Sequence, residues 1–231
     1  MKKGRGWILG YSLTIFCALA LVHWGNAAVT TVSEQLPVPR QHCIIIDAGH
    51  GGVDGGASSC TGKLESAYNL EISLKLRDLL HFLGFETKMI RTRDESIYIK
   101  GNTIGEKKIS DLKERVRIVN ETGAGLLISI HQNQYPDSRY SGPQVFYAST
   151  PGSQKLAWML QEKLTSVLKP SVKRKEKESK GVYLMKHIQK TGVLIECGFL
   201  SNPTEEAFLS SPIYQKRLCC IIGSVLCQFL G

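Results

Sequence analysis

Two histidines and two glutamates in this sequence stand where apolar runs stop, and together they could do metal chemistry. His50 lies in Asp47-Ala48-Gly49-His50-Gly51-Gly52, directly after Cys43-Ile44-Ile45-Ile46. His131 closes Ser129-Ile130-His131-Gln132-Asn133, behind Leu126-Leu127-Ile128. Glu65 opens a long helical pattern fifteen residues after His50, and Glu196 follows Val193-Leu194-Ile195. Taken singly, three of the four have ordinary structural accounts. His50 reads as a loop histidine held by glycine-rich backbone, His131 as a satisfied histidine at the core edge, and Glu65 as a first-turn acid favoured by the helix dipole. Glu196 resists such an account. An unpaired carboxylate inside an apolar strand costs several kcal/mol, so it needs a metal, a cation or a catalytic reason.

Taken together, a His/Glu/His set matches catalytic zinc, which takes three nitrogen or oxygen ligands and keeps a fourth position for water. Such an ion lowers the pKa of water toward ~7 and polarises a carbonyl. A second carboxylate can accept the water proton and return it to a leaving amine. The glycines beside His50 permit close backbone approach. No Cys-x-x-Cys pair occurs among the seven cysteines, which argues against a cysteine zinc site; the cysteines read as small buried hydrophobes.

The candidate residues are far apart in the chain, so a fold must gather them. Short apolar runs predict strands at 43–47, 85–91, 125–130, 142–148, 182–185 and 192–198. Helical spacing predicts helices over 66–83, 106–122 (with Ile109, Leu112, Val116 and Val119 on one stripe), 152–168 and 212–230. Strands that alternate with helices and are apolar on both faces imply an α/β fold: a single domain with a sheet of about six strands, mostly parallel or mixed, and helices on both faces. Sites in such sheets form beyond the carboxyl ends of the strands, which is where His50, His131 and Glu196 fall.

A length of 231 residues suits one domain, and 42% hydrophobic with 21% charged residues excludes a disordered chain. Residues 1–28 carry Lys2, Lys3 and Arg5, then the uncharged stretch Trp7–Val22, then small residues at Gly25, Ala27 and Ala28. This reads as a signal peptide or an N-terminal membrane anchor. Residues 29–40 read as a linker with Pro37 and Pro39, and residues 41–231 as the catalytic domain. A net charge of +9 fits polyanionic surroundings. With an export signal and no matching motif, nucleic acid is not expected as a partner. The basic stretch Lys173-Arg174-Lys175-Glu176-Lys177 reads as a solvated loop.

The segments IIIDAGHGGVDGGA (44–57), KLESAYNLEISLKL (63–76), RTRD (91–94), LKERVRIVN (112–120), LLISIHQNQ (126–134) and VLIECGFLSNPTEE (193–206) together resemble the zinc-dependent N-acetylmuramoyl-L-alanine amidases of the amidase 3 group. A short N-terminal signal before such a domain, no wall-binding repeats, and the stretch from Tyr183 to Asn202 make it most similar to their spore-cortex, germination-specific CwlD type. The resemblance implies one zinc ion held by His50, Glu65 and His131, with Glu196 as the catalytic carboxylate. It implies cleavage of the amide between the muramic acid lactyl group and L-alanine in peptidoglycan, which in cortex prepares the muramic lactam used in germination. Gln134 departs from the small residue frequent there and bears on substrate preference. The alternatives are a zinc peptidase acting on stem peptides and a non-catalytic peptidoglycan-binding scaffold; the second predicts a damaged ligand set, and this one is intact. The expected place is outside the cytoplasmic membrane, in the cell wall or spore envelope, with peptidoglycan as substrate. A membrane tether through the N-terminal segment or an accessory recruitment protein would bring the domain to it.

Overall fold

The computed structural model describes residues 40–231. The export segment expected at 1–28 and the linker expected at 29–40, apart from Arg40, lie outside these residues, as does Cys17. In chain order the elements are β1 (Arg40–Ala48), α1 (Glu65–Phe82), β2 (Phe85–Met89), α2 (Ile104–Glu121), β3 (Gly125–Asn133), β4 (Gln144–Tyr147), α3 (Ser153–Leu168), β5 (Lys177–Glu178), α4 (Tyr183–His187), β6 (Gly192–Phe199), α5 (Pro203–Ser210) and α6 (Pro212–Leu230). The strands form one six-stranded sheet in the order β2-β1-β3-β6-β4-β5. β2, β1, β3 and β6 run parallel, and β4 reverses direction against β6. The sheet is therefore mixed, as the sequence pattern implies.

Alternation along the strands assigns the core to two layers, because successive side chains point to opposite faces. Ile44, Ile46, Ile128, Ile130, Val193 and Ile195 face a layer made by α1, α3, α5 and α6. Ile45, Leu127 and Leu194 face Val119 of α2 and Leu184 and Met185 of α4. Both faces are covered, which is why the central strands are apolar throughout. Parallel pairing of β1, β3 and β6 then brings their carboxyl ends to one edge of the sheet.

The segment 182–185, expected as a strand, is a helix. Leu184, Met185 and Ile188 recur at helical spacing and press on the second face. A four-residue apolar run is too short to distinguish the two periods. The strand in that part of the chain is β5, two exposed residues with no apolar signal. Helix α5 is a further addition, capped by the Asn202 side chain, which accepts from the backbone N–H of Thr204 and Glu205, with Pro203 at the first position. In α2 the expected stripe fails at one end. Ile109 is exposed while Ser110 and Arg115 are buried, because that end of the helix faces polar groups beyond the strands. Among the described cysteines, Cys43, Cys197 and Cys219 are buried as expected, whereas Cys60 and Cys220 are exposed, and all six are free.

The basic stretch also divides. Lys173, Lys175 and Lys177 are exposed. Arg174 is half-buried, donates from Nη1 to the Gly142 carbonyl at 2.7 Å, and lies 5.0 Å from the Phe199 ring centroid. Arg174→Ala should lower the unfolding free energy by about 1–2 kcal/mol through the lost hydrogen bond and ring contact. Lys173→Ala and Lys175→Ala should stay within about 0.5 kcal/mol. Urea denaturation at constant m-value measures both.

Candidate metal centre

The centre is assembled from three segments. Beyond β1 the chain turns sharply, and His50 adopts φ 60°, a left-handed value found at no other non-glycine among the described residues. That conformation costs an L-residue roughly 1–2 kcal/mol, and two buried guanidinium groups hold it. Arg91 donates from Nε to the Ala48 carbonyl at 2.8 Å and from Nη2 to the Gly49 carbonyl at 3.0 Å. Arg115 donates from Nη2 to the His50 carbonyl at 2.8 Å and pairs through Nη1 with Asp47. Burial would raise the Asp47 carboxyl, but Arg115, His131 and the Ser129 hydroxyl hold it below the usual carboxylate range.

Glu65 enters from the first turn of α1 and reaches both histidines. Its Oε1 lies 2.9 Å from His131 Nδ1 and its Oε2 lies 3.3 Å from His50 Nε2. It also accepts from the backbone N–H of Ala57 and Gln132. One donor atom from each of His50, Glu65 and His131 falls within 4.8 Å of the others. Such closeness needs glycine at two points. A Cβ on Gly49 would sit 2.2 Å from His131 Nε2, and one on Gly56 would sit 2.6 Å from Glu65 Oε2. Burial would push the Glu65 carboxyl up, yet the hydrogen bonds and charges of His131 and His50 hold it far below the usual range.

Glu196 lies on β6 directly opposite His131 on β3, in the contrasting environment. Its Oε2 is buried and makes no hydrogen bond among the described residues. Burial pushes its carboxyl up to about 7, with His131 opposing and Glu65 adding to the rise. Two carboxylates pushed apart in this way are the mark of an acid/base assignment. Beside them opens a cavity of about 330 Å³ lined by His50, His131, Glu196, Lys108, Tyr183 and Leu184 among others.

All four residues singled out from the sequence therefore come together. Sequence reasoning missed Asp54, whose Oδ2 lies 2.9 Å from His50 Nδ1 and 3.1 Å from Lys108 Nζ. Its signal was local: a carboxylate four residues past His50 in the same glycine-rich loop. It also missed Arg91 and Arg115, whose charges look like surface charges in the sequence.

The residues present fit a transition metal. Two imidazoles and one carboxylate supply a borderline N₂O donor set. A hydrogen bond from His50 Nδ1 to Asp54 leaves the Nε2 lone pair free toward the cluster, the arrangement usual for a metal-ligating histidine. Glu196, whose Oε2 has no hydrogen bond among the described residues, lines the cavity beside the same cluster. Asp54→Asn should weaken metal binding by about 10–100-fold, with unchanged secondary structure by circular dichroism. Competition titration against a chelator measures it.

The family described as N-acetylmuramoyl-L-alanine amidase matches residues 44–225, a span that contains all four residues of the centre. The chain is 40% identical over 178 residues to the germination-specific N-acetylmuramoyl-L-alanine amidase of Bacillus subtilis, covering 76% of this chain and 74% of that protein. Among solved structures it is similar to the CwlD amidase of Clostridioides difficile, determined in complex with the GerS lipoprotein, with TM-score 0.78, 36% identity, and coverage of 82% of this chain and 98% of that one. It is also similar to an N-acetylmuramoyl-L-alanine amidase from Clostridium difficile 630, with TM-score 0.71, 30% identity, and coverage of 83% and 97%. The six-stranded sheet, the gathered His/Glu/His cluster and the extent of these matches lead to one conclusion: the chain is an enzyme of the N-acetylmuramoyl-L-alanine amidase family.

Proposed function

We propose that this protein uses one zinc ion, held by His50, Glu65 and His131, to hydrolyse the amide between N-acetylmuramic acid and L-alanine in spore-cortex peptidoglycan. The observation that carries the reading is the Glu196 carboxyl, enclosed and unpartnered at Oε2 and raised to about 7 beside the His/Glu/His cluster. Zinc in such a site lowers the pKa of water toward ~7 and polarises a carbonyl. Glu196 takes the proton of the attacking water as the water oxygen bonds to the lactyl carbonyl carbon. It then delivers that proton to the alanine nitrogen as the C–N bond breaks. The products are a lactyl carboxylate on the sugar and a free amino terminus on the stem peptide. Asp54 and Lys108 fix the ring of His50, and the two arginines fix its backbone. Enclosure of its Oε2 keeps the proton affinity of Glu196 high enough for both transfers.

The cortex assignment is supported by the similarity to a relative named for germination. The solved relative in complex with a lipoprotein supports recruitment of this chain by an accessory envelope protein. Residues 1–28 would supply export or a membrane tether, residues 29–40 the linker, and residues 41–231 the catalytic domain.

The purified protein should hold about one zinc per chain, and His50→Ala or His131→Ala should lose it, since two ligands are too few for a stable site. Elemental analysis after gel filtration checks this. Full retention by both variants would remove the ligand assignment.

Glu196→Gln should keep the metal and lose roughly 10²–10⁴-fold in turnover, the usual contribution of a general acid–base group. Mass spectrometry of digested peptidoglycan should show free L-alanine amino termini and intact muramic acid. Cleavage between stem amino acids would favour a peptidase instead.

A further inference from the structure

The carboxyl edge of the sheet carries a second feature that the chemistry above does not use. The loop between β3 and β4, residues 134–143, presents two tyrosine rings. Tyr135 and Tyr140 pack with centroids 4.4 Å apart at 53°, are 46% and 45% exposed, and continue inward to Phe199, 6.2 Å from Tyr140. The loop beneath them is pinned at several points. The Tyr135 N–H donates to Ser201 Oγ at 3.1 Å, and Asn202 Nδ2 donates to the Tyr140 carbonyl at 3.2 Å. The Gly142 N–H donates to Glu205 Oε1 at 2.7 Å, and Arg174 donates to the Gly142 carbonyl. Glu205 is itself buried, and its second oxygen accepts from the Phe199 N–H at 2.9 Å. Withdrawing a carboxylate from water costs solvation energy. What this one stabilises is a rigid pair of rings that water half covers.

Position argues for the occupant. Tyr135 is four residues beyond His131, hence within about 14 Å of it along the chain. Its loop is tied to Phe199, Ser201 and Asn202, at the junction of β6 with α5. The cavity beside Glu196 is walled instead by residues of α2 and α4. The proposed reaction, on which this inference rests, acts on an amide that hangs from a sugar inside a polymer. Such a substrate extends beyond the reacting amide, and its neighbouring sugars need a surface of their own near the centre. A pyranose has an apolar C–H face and a rim of hydroxyls. A tyrosine offers the matching surface, a ring face with a polar tip. We propose that Tyr135 and Tyr140 form a glycan-binding subsite that stacks on a sugar next to the one whose amide is cleaved.

The test uses the full chain, peptide-free glycan strands of several disaccharides, and isothermal titration calorimetry. The double variant Tyr135→Ala/Tyr140→Ala should bind these strands about tenfold more weakly. Tyr135→Phe/Tyr140→Phe, which keeps both rings, should bind within about threefold of the parent. The thermal midpoint and metal content of each variant report whether the fold and centre survive. A second measurement compares kcat/KM on a multi-disaccharide substrate with that on a single muramoyl-peptide, and the ratio should fall about tenfold in the alanine variant. Equal strand binding by parent and alanine variant overturns the proposal, as does a parent that does not bind the strands. An equal fractional loss on both substrates also overturns it, since the rings would then only support the centre. A parent that cleaves neither substrate but binds strands through the rings would overturn the assigned reaction and leave the subsite standing.

Discussion

Glu65 bridging His50 and His131 is the contact on which the centre depends. One carboxylate from the first turn of α1 must meet a side chain from the loop after β1 and another from the end of β3. Helix α1 must therefore begin beneath the carboxyl edge of the sheet, and the turn that leads into it must pass close enough to require glycine at 56. One helical turn later Asn69 extends the same contact. Its amide nitrogen donates to Glu65 Oε1 and to the Gly49 carbonyl, while its oxygen accepts from Gln132 Nε2. A polar spine thus runs from the apolar layer of α1 to the centre, and Asn69 uses both its amide nitrogen and its oxygen in it, so that one side chain ties the loop after β1, helix α1 and strand β3 together.

The two glutamates show how environment divides one chemistry into two. Glu65 is surrounded by donors and stays ionised; Glu196, opposite His131 on β6, stands between Ile195 and Cys197 in the chain and has an unpartnered oxygen. The sheet sets this contrast through register. His131 and Glu196 are cross-strand partners, so a slip of one residue in β6 would turn Glu196 to the other face. Packing of Val193 and Ile195 on one side and Leu194 on the other prevents that slip. The chemistry of the centre is in this sense fixed by burial of aliphatic side chains that never touch it.

The sequence made the four central residues legible because each breaks a strong apolar pattern at a strand end or a helix start, and the α/β architecture follows from the same pattern. Arg91 and Arg115 were not legible, because a charge in a loop or on a helix reads as solvated until the tertiary structure buries it. Arg115 sits in a helix with abundant charge, and only the depth of α2 against β1 shows that it is an interior residue. The segment 182–185 was misread because aliphatic content without length carries no period. Tyr135 and Tyr140 gave no signal at all, since their pairing depends on a loop closing back over β6.

The grip of Arg91 and Arg115 on the loop after β1 also bears on what that loop can offer an ion. The Ala48 carbonyl accepts from both guanidinium groups, the Gly49 carbonyl from Arg91 and Asn69, and the His50 carbonyl from Arg115. Calcium needs six to eight oxygen ligands and commonly recruits loop carbonyls to reach that number. Here the carbonyls of Ala48, Gly49 and His50 already accept from guanidinium or amide donors. A glycine-rich loop flanked by Asp47 and Asp54, of the kind that elsewhere wraps a hard cation, here brings the His50 imidazole to the cluster. Main-chain oxygens that could serve a hard cation are thereby spent on holding the loop itself.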